Sequence, residues 1–320
     1  MTSRLSQNKM IGNFYVLREI FYRFLRLEVH DHENNYRTYR SYCSSGSPVA
    51  HSISPLMHNE AFRILGLDYV YLCFDVNEDT LPAAVEGLKT CGIRGFNLTM
   101  PNKNKIVELL DELSPEAQLI GAVNTVLNDN GKLTGYNTDG YGFMQSVRDA
   151  GHDITGKAVT VMGVGGASMA ICAQSALDGA SAVQIFARRT SRYWDRTQKF
   201  AENLSAKTGC QVSLHDNDDH TALKNAIDRS YLLINATSVG MVPDINDSII
   251  KDTGLFRPGL VVADIVYEPQ ETRLLREAKA AGCQTFNGMY MLLHQGAKAF
   301  KIWTGQEMPV EVIREKYFCL

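Results

Sequence analysis

The sequence predicts an α/β fold in two parts, on three observations. From Tyr69 onward, apolar strands alternate with helical stretches, the βαβ pattern of a parallel or mostly parallel sheet with helices on its faces. A buried strand, Lys157 to Met162, then runs straight into Gly163-Val-Gly-Gly-Ala-Ser168 and a helix of small residues, the opening of a Rossmann-type, doubly wound dinucleotide-binding domain. A last helical pattern, Gly288 to Phe300, follows once that half is complete and is expected to return to the first domain.

The strands and helices of the first part are read as Tyr69–Val76, Leu81–Thr90, Ile93–Leu98 and helical stretches through Leu113 and Leu119. A helix over Tyr141–Ala150 ends near Gly151, and later strands of the second sheet are expected at Ala182–Ala187, Leu232–Ala236 and Leu260–Val266. The stretch 30–47 is polar and has no period of 2 or 3.6, so it predicts a linker or arm. The partly apolar Ile11–Val29 is interrupted by Arg18, Glu19, Arg23, Arg26 and Glu28, which predicts an amphipathic helix and excludes a bilayer span or signal-peptide core. The expected division is an extension over 1–45, an N-terminal α/β substrate domain made of 46–138 plus 289–320, and a nucleotide domain over 139–288.

The chain has 320 residues, 45% of them hydrophobic and 21% charged, with a net charge of −3. That composition suits two packed units and lacks the broad positive face that nucleic acid or an anionic membrane would need. Seven cysteines occur without a CxxC pair and eight histidines without an HExxH pair. Reduced thiols in a cytoplasmic protein, and no protein-held metal, are expected.

The motifs fall in an informative order, polar first and glycine-rich second. Lys103, after Asn97-Leu-Thr-Met-Pro-Asn, is read as the first turn of a helix leaving a strand, at the carboxyl edge where open α/β sheets bind ligands. Alone it would be a solvated lysine. Together with Thr99, Asn124 and Asp139 in similarly placed turns it suggests proton transfer among hydroxyl-binding groups. Ser52 and Ser54, two apart in His51-Ser-Ile-Ser-Pro55, point the same way in an extended chain and suit a carboxylate or a vicinal diol, or simply cap a helix that Pro55 begins. The glycines at 163, 165 and 166 let the backbone approach a pyrophosphate. Beyond the next strand, Ala187-Arg-Arg-Thr-Ser-Arg192 offers cations and no acid, which favours NADP while leaving NAD open. A polyhydroxylated small molecule handled beside a nicotinamide fits this set.

At these residues the chain resembles the shikimate dehydrogenase family, and more narrowly its quinate/shikimate dehydrogenase branch. The resemblance rests on Pro48-Val-Ala-His-Ser-Ile-Ser-Pro55, Asn97-Leu-Thr-Met-Pro-Asn-Lys103, Ile120-Gly-Ala-Val-Asn-Thr125, Gly135-Tyr-Asn-Thr-Asp-Gly140, Gly163-Val-Gly-Gly-Ala167, Asn235-Ala-Thr-Ser-Val-Gly-Met241 and Gly288-Met-Tyr-Met-Leu-Leu-His-Gln295. It implies NADP-dependent interconversion of 3-dehydroshikimate and shikimate, in the biosynthesis of aromatic amino acids. Lys103 would be the general acid/base, paired with Asp139, with Ser52, Ser54, Thr99, Asn124, Tyr267 and Gln295 on the substrate. The cofactor would lie on Gly163, Val164, Gly165, Gly166, Ala167, Arg188, Arg189, Thr190, Arg192, Ile265 and Gly288.

Two departures qualify the match. Family members usually enter the Pro48 motif from an apolar strand, whereas Arg40-Ser-Tyr-Cys-Ser-Ser45 is polar, which points to residues 1–45 as an extension or a shifted reading frame. Arg188-Arg189-Thr190 also differs from the Asn-Arg-Thr that NADP-specific members tend to carry. The alternatives are a quinate/shikimate dehydrogenase using NAD or both cofactors, and a catalytically silent ligand sensor. A monomer or homodimer with a small-molecule substrate is expected in every case.

Overall fold

The computed structural model describes residues 40–47 and 52–318. The expected Ile11–Val29 helix and the Pro48–His51 part of the first motif lie outside the described residues. Two six-stranded sheets organise the rest.

The first sheet contains β1 (Arg40–Gly46), β2 (Tyr69–Asp75), β3 (Gly95–Leu98), the two-residue β4 (Glu112–Leu113), β5 (Thr125–Asp129) and β6 (Lys132–Tyr136), in the order β2-β1-β3-β5-β6-β4. β1 runs parallel to both β2 and β3, while β5 is antiparallel to β3 and β6. Helices α1 (Ser54–Ile64) and α2 (Leu81–Thr90) follow β1 and β2, and α3 (Pro115–Ile120) precedes β5. α4 (Asp139–Asp149) then leads to the second sheet.

That sheet comprises β7 (Ala158–Met162), β8 (Ala182–Ala187), β9 (Gln211–Asp216), β10 (Leu232–Asn235), β11 (Val261–Asp264) and β12 (Gln284–Phe286). Its order is β12-β11-β10-β7-β8-β9 and every pair is parallel. Read from the other edge, this is the Rossmann order, whose direction reverses between β7 and β10 and opens a ligand crevice at their carboxyl ends. The helices between its strands are α5 (Gly166–Leu177), α6 (Trp194–Thr208), α7 (His220–Arg229) and α8 (Arg273–Ala280). The chain ends in α9 (Met289–Thr304) and α10 (Val310–Tyr317).

The expected linker over 30–47 is corrected for its described part. Arg40–Gly46 is a strand hydrogen-bonded on both edges, and Tyr42 through Gly46 are buried. Being central, it needs no alternation of apolar and polar residues, and the small side chains of Ser44 and Ser45 fit where larger polar ones could not. Residues 40–45 are therefore part of the sheet and not an extension. The helical stretches expected after Leu98 are also revised: Lys103 sits in a turn, Lys105–Leu109 is a 3-10 helix, and a short strand precedes α3.

α9 ties the first sheet together. Trp303 donates from its indole N–H to the Val126 carbonyl at 2.9 Å and occupies the space a side chain at Gly95 would need. Around it, Tyr42, His58, Phe62, Tyr71 and Phe300 form an aromatic cluster with centroid separations from 4.5 to 6.3 Å. His58 is fully buried, and neither ring nitrogen has a hydrogen-bond partner among the described residues.

Burial pushes the His58 pKa down to about 3, so the unfolded chain takes up a proton below the ordinary pKa that the folded one refuses. Stability is present above pH 6.5 and falls as the pH drops toward 3. Between pH 7 and 5 this residue is expected to cost about 2 kcal/mol, as follows from an ordinary pKa near 6.5. In urea titrations at the two pH values, His58→Phe should remove that part of the acid sensitivity and leave the share of His152, His215 and His294, whose pKa values burial also lowers. An unchanged pH slope in the variant would contradict the assignment.

Candidate active site

The carboxyl ends of both sheets face one cavity of about 810 Å³. Three short segments build its reactive corner. The turn after β3 carries Lys103, the residue before β5 is Asn124, and α4 begins at Asp139. Thr99 is held against β1 by its backbone N–H to the Ser45 carbonyl at 3.2 Å, and Gly46 there has no space for a Cβ beside the Thr99 methyl.

Lys103 Nζ lies 2.6 Å from Asp139 Oδ2. The lysine side chain keeps 22% of its surface exposed and the aspartate 6%, so the carboxylate is the more buried partner of a pair that lines the cavity with both side chains. Asp139 occupies the first turn of α4, where the positive end of the helix dipole favours an anion. Its other oxygen, Oδ1, accepts from Asn124 Nδ2 at 2.9 Å. Asn124 Oδ1 accepts the Thr138 backbone N–H at 2.8 Å, while Nδ2 also faces Thr138 Oγ1 at 3.0 Å and Gln295 Oε1 at 3.3 Å. The ion pair is thus embedded in neutral donors and acceptors, the condition under which a partly buried pair is tolerated.

Gln295 reaches this corner because α4 and α9 lie backbone to backbone. A Cβ at Gly142 would sit 2.6 Å from the Gln295 nitrogen and 2.7 Å from the Met291 oxygen. About two turns further along α4, Asp149 Oδ2 lies 2.7 Å from Nε2 of His294, the neighbour of Gln295 on α9, and pins the far end of the same contact. Burial lowers the His294 pKa against the opposing pull of Asp149.

Ser52, Ser54, Thr99, Lys103, Asn124, Asp139, Tyr267 and Gln295, all singled out in the sequence, line this cavity, as do Ile265 and Gly288. Ser52 Oγ accepts the Ser54 backbone N–H at 3.2 Å, so the local turn and the cavity wall use the same serine. Sequence reasoning missed Ser44, which lines the floor from β1; its only signal was a position four residues before Pro48, in the stretch read as a linker.

Gly163, Val164, Gly165, Gly166 and Ala167 do not line that cavity and lie at the crevice edge of the second sheet, in the turn after β7 and the first two residues of α5. Gly163 has φ 116°, a conformation that favours glycine, and a Cβ there would press on the Ala236 carbonyl at 2.9 Å. Gly165 and Gly166 face open space, and no side chain caps the start of α5. Bare backbone N–H groups at an open helix start form a cradle for phosphate. Arg188, Arg189, Thr190 and Arg192 follow β8 and are exposed; Arg189 stacks over the Trp194 ring at 4.5 Å, and Arg192 donates to Tyr193 Oη at 2.6 Å. These residues fit an adenine dinucleotide carrying a further phosphate.

The floor of the crevice is braced by the buried Asp264. It accepts from Asn235 Nδ2 at 2.9 Å, the Val266 N–H at 3.0 Å and Thr272 Oγ1 at 2.8 Å, and burial pushes its pKa up. Asn235 in turn accepts from Thr237. Among the described residues, no cluster of side chains could hold a metal ion and no helix is long and apolar enough to cross a membrane.

The site and fold define a two-sheet α/β oxidoreductase class with a Rossmann-type cofactor crevice. The model of the shikimate dehydrogenase substrate binding domain matches residues 45–126, and that of the shikimate 5'-dehydrogenase C-terminal domain matches 288–316. The shikimate dehydrogenase (NADP(+)) of Listeria innocua is 50% identical over 85% of this chain and 93% of its own length; that of Streptococcus pyogenes is 51% identical over 84% and 92%. The crystal structure of shikimate 5-dehydrogenase from Listeria monocytogenes, in complex with shikimate and NAD, superposes with a TM-score of 0.84 at 48% identity, over 88% of this chain and 98% of that one. The chain belongs to the shikimate dehydrogenase family.

Gly142→Ala is expected to force α4 and α9 apart, because the two nearest atoms it meets are backbone and the third is the Gln295 Cβ, which cannot swing away. A loss of about 1–3 kcal/mol, the usual cost of overpacking, should appear as a lower thermal midpoint. A variant with wild-type stability would show that the two helices are not held at this distance.

Proposed function

We propose that this protein interconverts shikimate and 3-dehydroshikimate with NADP as the hydride partner. The observation that carries the proposal is the Lys103–Asp139 pair at 2.6 Å, set in the corner of the cavity where hydroxyl and amide groups gather. A binding protein needs no such proton-transfer pair, which disfavours the silent sensor.

NADP+, when bound, accepts the hydride released from the carbinol carbon. Lys103 Nζ handles the proton at the oxygen of that carbon: the neutral amine receives it during oxidation, and the ammonium returns it to the developing alkoxide during reduction. Asp139 Oδ2 orients the amine, and Oδ1, with Asn124 and Gln295, binds the neighbouring substrate hydroxyls. The hydroxyls of Ser52, Ser54 and Thr99 remain to hold the substrate carboxylate. Tyr267, a 45% exposed residue of the cavity lining, would cover the substrate ring. Arg188, Arg189 and Arg192 would hold the extra phosphate of the cofactor, and Gly163–Ala167 its pyrophosphate.

Residues 46–138 with 289–320 serve as the substrate domain and 139–288 as the cofactor domain, with β1 now joined to the former. Cysteines without a pairing pattern fit a cytoplasmic location. A monomer or homodimer, with no nucleic-acid partner, fits the net charge of −3.

The test is formation of reduced nicotinamide from shikimate and from quinate, each with NADP and with NAD. Turnover should be fastest with shikimate and NADP; a preference for quinate or NAD would contradict the reading. Lys103→Ala should lower kcat by about 10²–10⁴, the usual contribution of a positioned acid/base, with a modest change in shikimate affinity. A near-normal rate in that variant would overturn the role of Lys103.

A further inference from the structure

Behind the polar corner lies a buried tyrosine that the reaction scheme does not use. Tyr71 on β2 is fully buried, with its ring stacked on His58 at 4.5 Å and an interplanar angle of 12°. Its hydroxyl donates to Asn97 Oδ1 at 2.7 Å. Burial pushes its pKa well above the ordinary range, so it stays a phenol and keeps a proton to donate.

That proton sets a direction for the hydrogen bonds that follow. With Oδ1 of Asn97 committed to Tyr71, Nδ2 points at the Asn124 carbonyl and at Thr125 Oγ1, each at 3.0 Å. Thr125, having accepted one proton, has its own left for Asn124 Oδ1, also at 3.0 Å. Asn124 Oδ1 is thereby an acceptor on its inner side, as it is for the Thr138 backbone N–H at 2.8 Å, and the two together keep Nδ2 toward Asp139 Oδ1 at 2.9 Å. An amide can present either oxygen or nitrogen to a given neighbour, and only its partners decide which. The polarity runs from Tyr71 through Asn97, Thr125 and Asn124 to the carboxylate that holds Lys103.

We propose that Tyr71 is a positioning residue for the reaction, whose buried hydroxyl orients Asn97 and, through Thr125 and Asn124, the Asp139 carboxylate. This rests on the dehydrogenase reading above. The rest of Tyr71 has separate structural work: its backbone N–H and carbonyl pair with the Asn59 amide at 2.8 and 3.0 Å, and its ring packs in the aromatic cluster. Tyr71→Phe leaves those contacts in place and removes only the hydroxyl.

The experiment is steady-state shikimate oxidation with NADP by the wild type, Tyr71→Phe, Asn97→Ala and the double variant, with thermal midpoints alongside. Y71F should lower kcat/KM for shikimate about tenfold, in line with one buried hydrogen bond, mostly through kcat and with the KM for NADP unchanged. In the Asn97→Ala background the relay is already cut, so adding Y71F should cost nothing more. Thr125→Val, of similar volume, cuts the relay at another link and should reproduce the kcat loss even if Y71F folds poorly. Additive losses, or wild-type constants in Y71F or T125V, would overturn the assignment while leaving the activity intact. A wild type inactive on shikimate would overturn the dehydrogenase reading and this assignment with it.

Discussion

The Lys103–Asp139 ion pair is the constraint on which the site depends. Taking an ammonium and a carboxylate largely out of water costs several kcal/mol for each ion unless their remaining hydrogen-bonding capacity is met. The pair therefore requires Asn124 beside it, Thr138 to hold Asn124, and the start of α4 beneath the carboxylate. Those partners come from a turn, a strand start and a helix start separated by up to 36 residues. Fixing them together is a task for the whole first sheet and for α9, which brings Gln295 back from the far end of the chain.

The second sheet meets a different constraint. Its all-parallel order leaves an open crevice where the strand order reverses, and the chain places its least encumbered backbone there, at Gly163 to Gly166. Asp264 gathers three donors and ties the ends of β10 and β11 to the loops that border both crevice and cavity. Ile265 and Gly288, which follow β11 and β12, line the same cavity as Lys103.

The helices and strands with strong periodicity were legible in the sequence: Leu81–Thr90, Ala182–Ala187 and the strand and helix around Gly163 appear where the pattern predicts them. β1 was not, because a strand buried on both faces and paired on both edges does not announce itself by alternation, and Ser44 and Ser45 read as solvent-facing. β5 and β6 escaped because Asn128, Asn130 and Gly131 dominate the local signal, and the pair is joined by a tight turn with Asn130 at φ 54°. The site residues were legible as residue types at the ends of elements. Their hydrogen-bond partners were not, since the Thr138 backbone N–H that meets Asn124 Oδ1 and the Tyr71 hydroxyl that meets Asn97 Oδ1 are brought there by the fold, and a sequence presents Tyr71 and Asn97 as an ordinary strand aromatic and one more asparagine.

The most direct test of this account is the rate of NADPH formation from shikimate by Asp139→Asn, compared with the wild type at saturating NADP. The substitution keeps the size of the side chain, removes the charge that holds Lys103, and replaces one of the two acceptors, toward Lys103 or toward Asn124, by a donor. The account predicts a fall in kcat of at least about a hundredfold, the scale of a misplaced acid/base. A variant that turns over within a few-fold of the wild type would show that the ion pair is not what positions the proton-transferring amine.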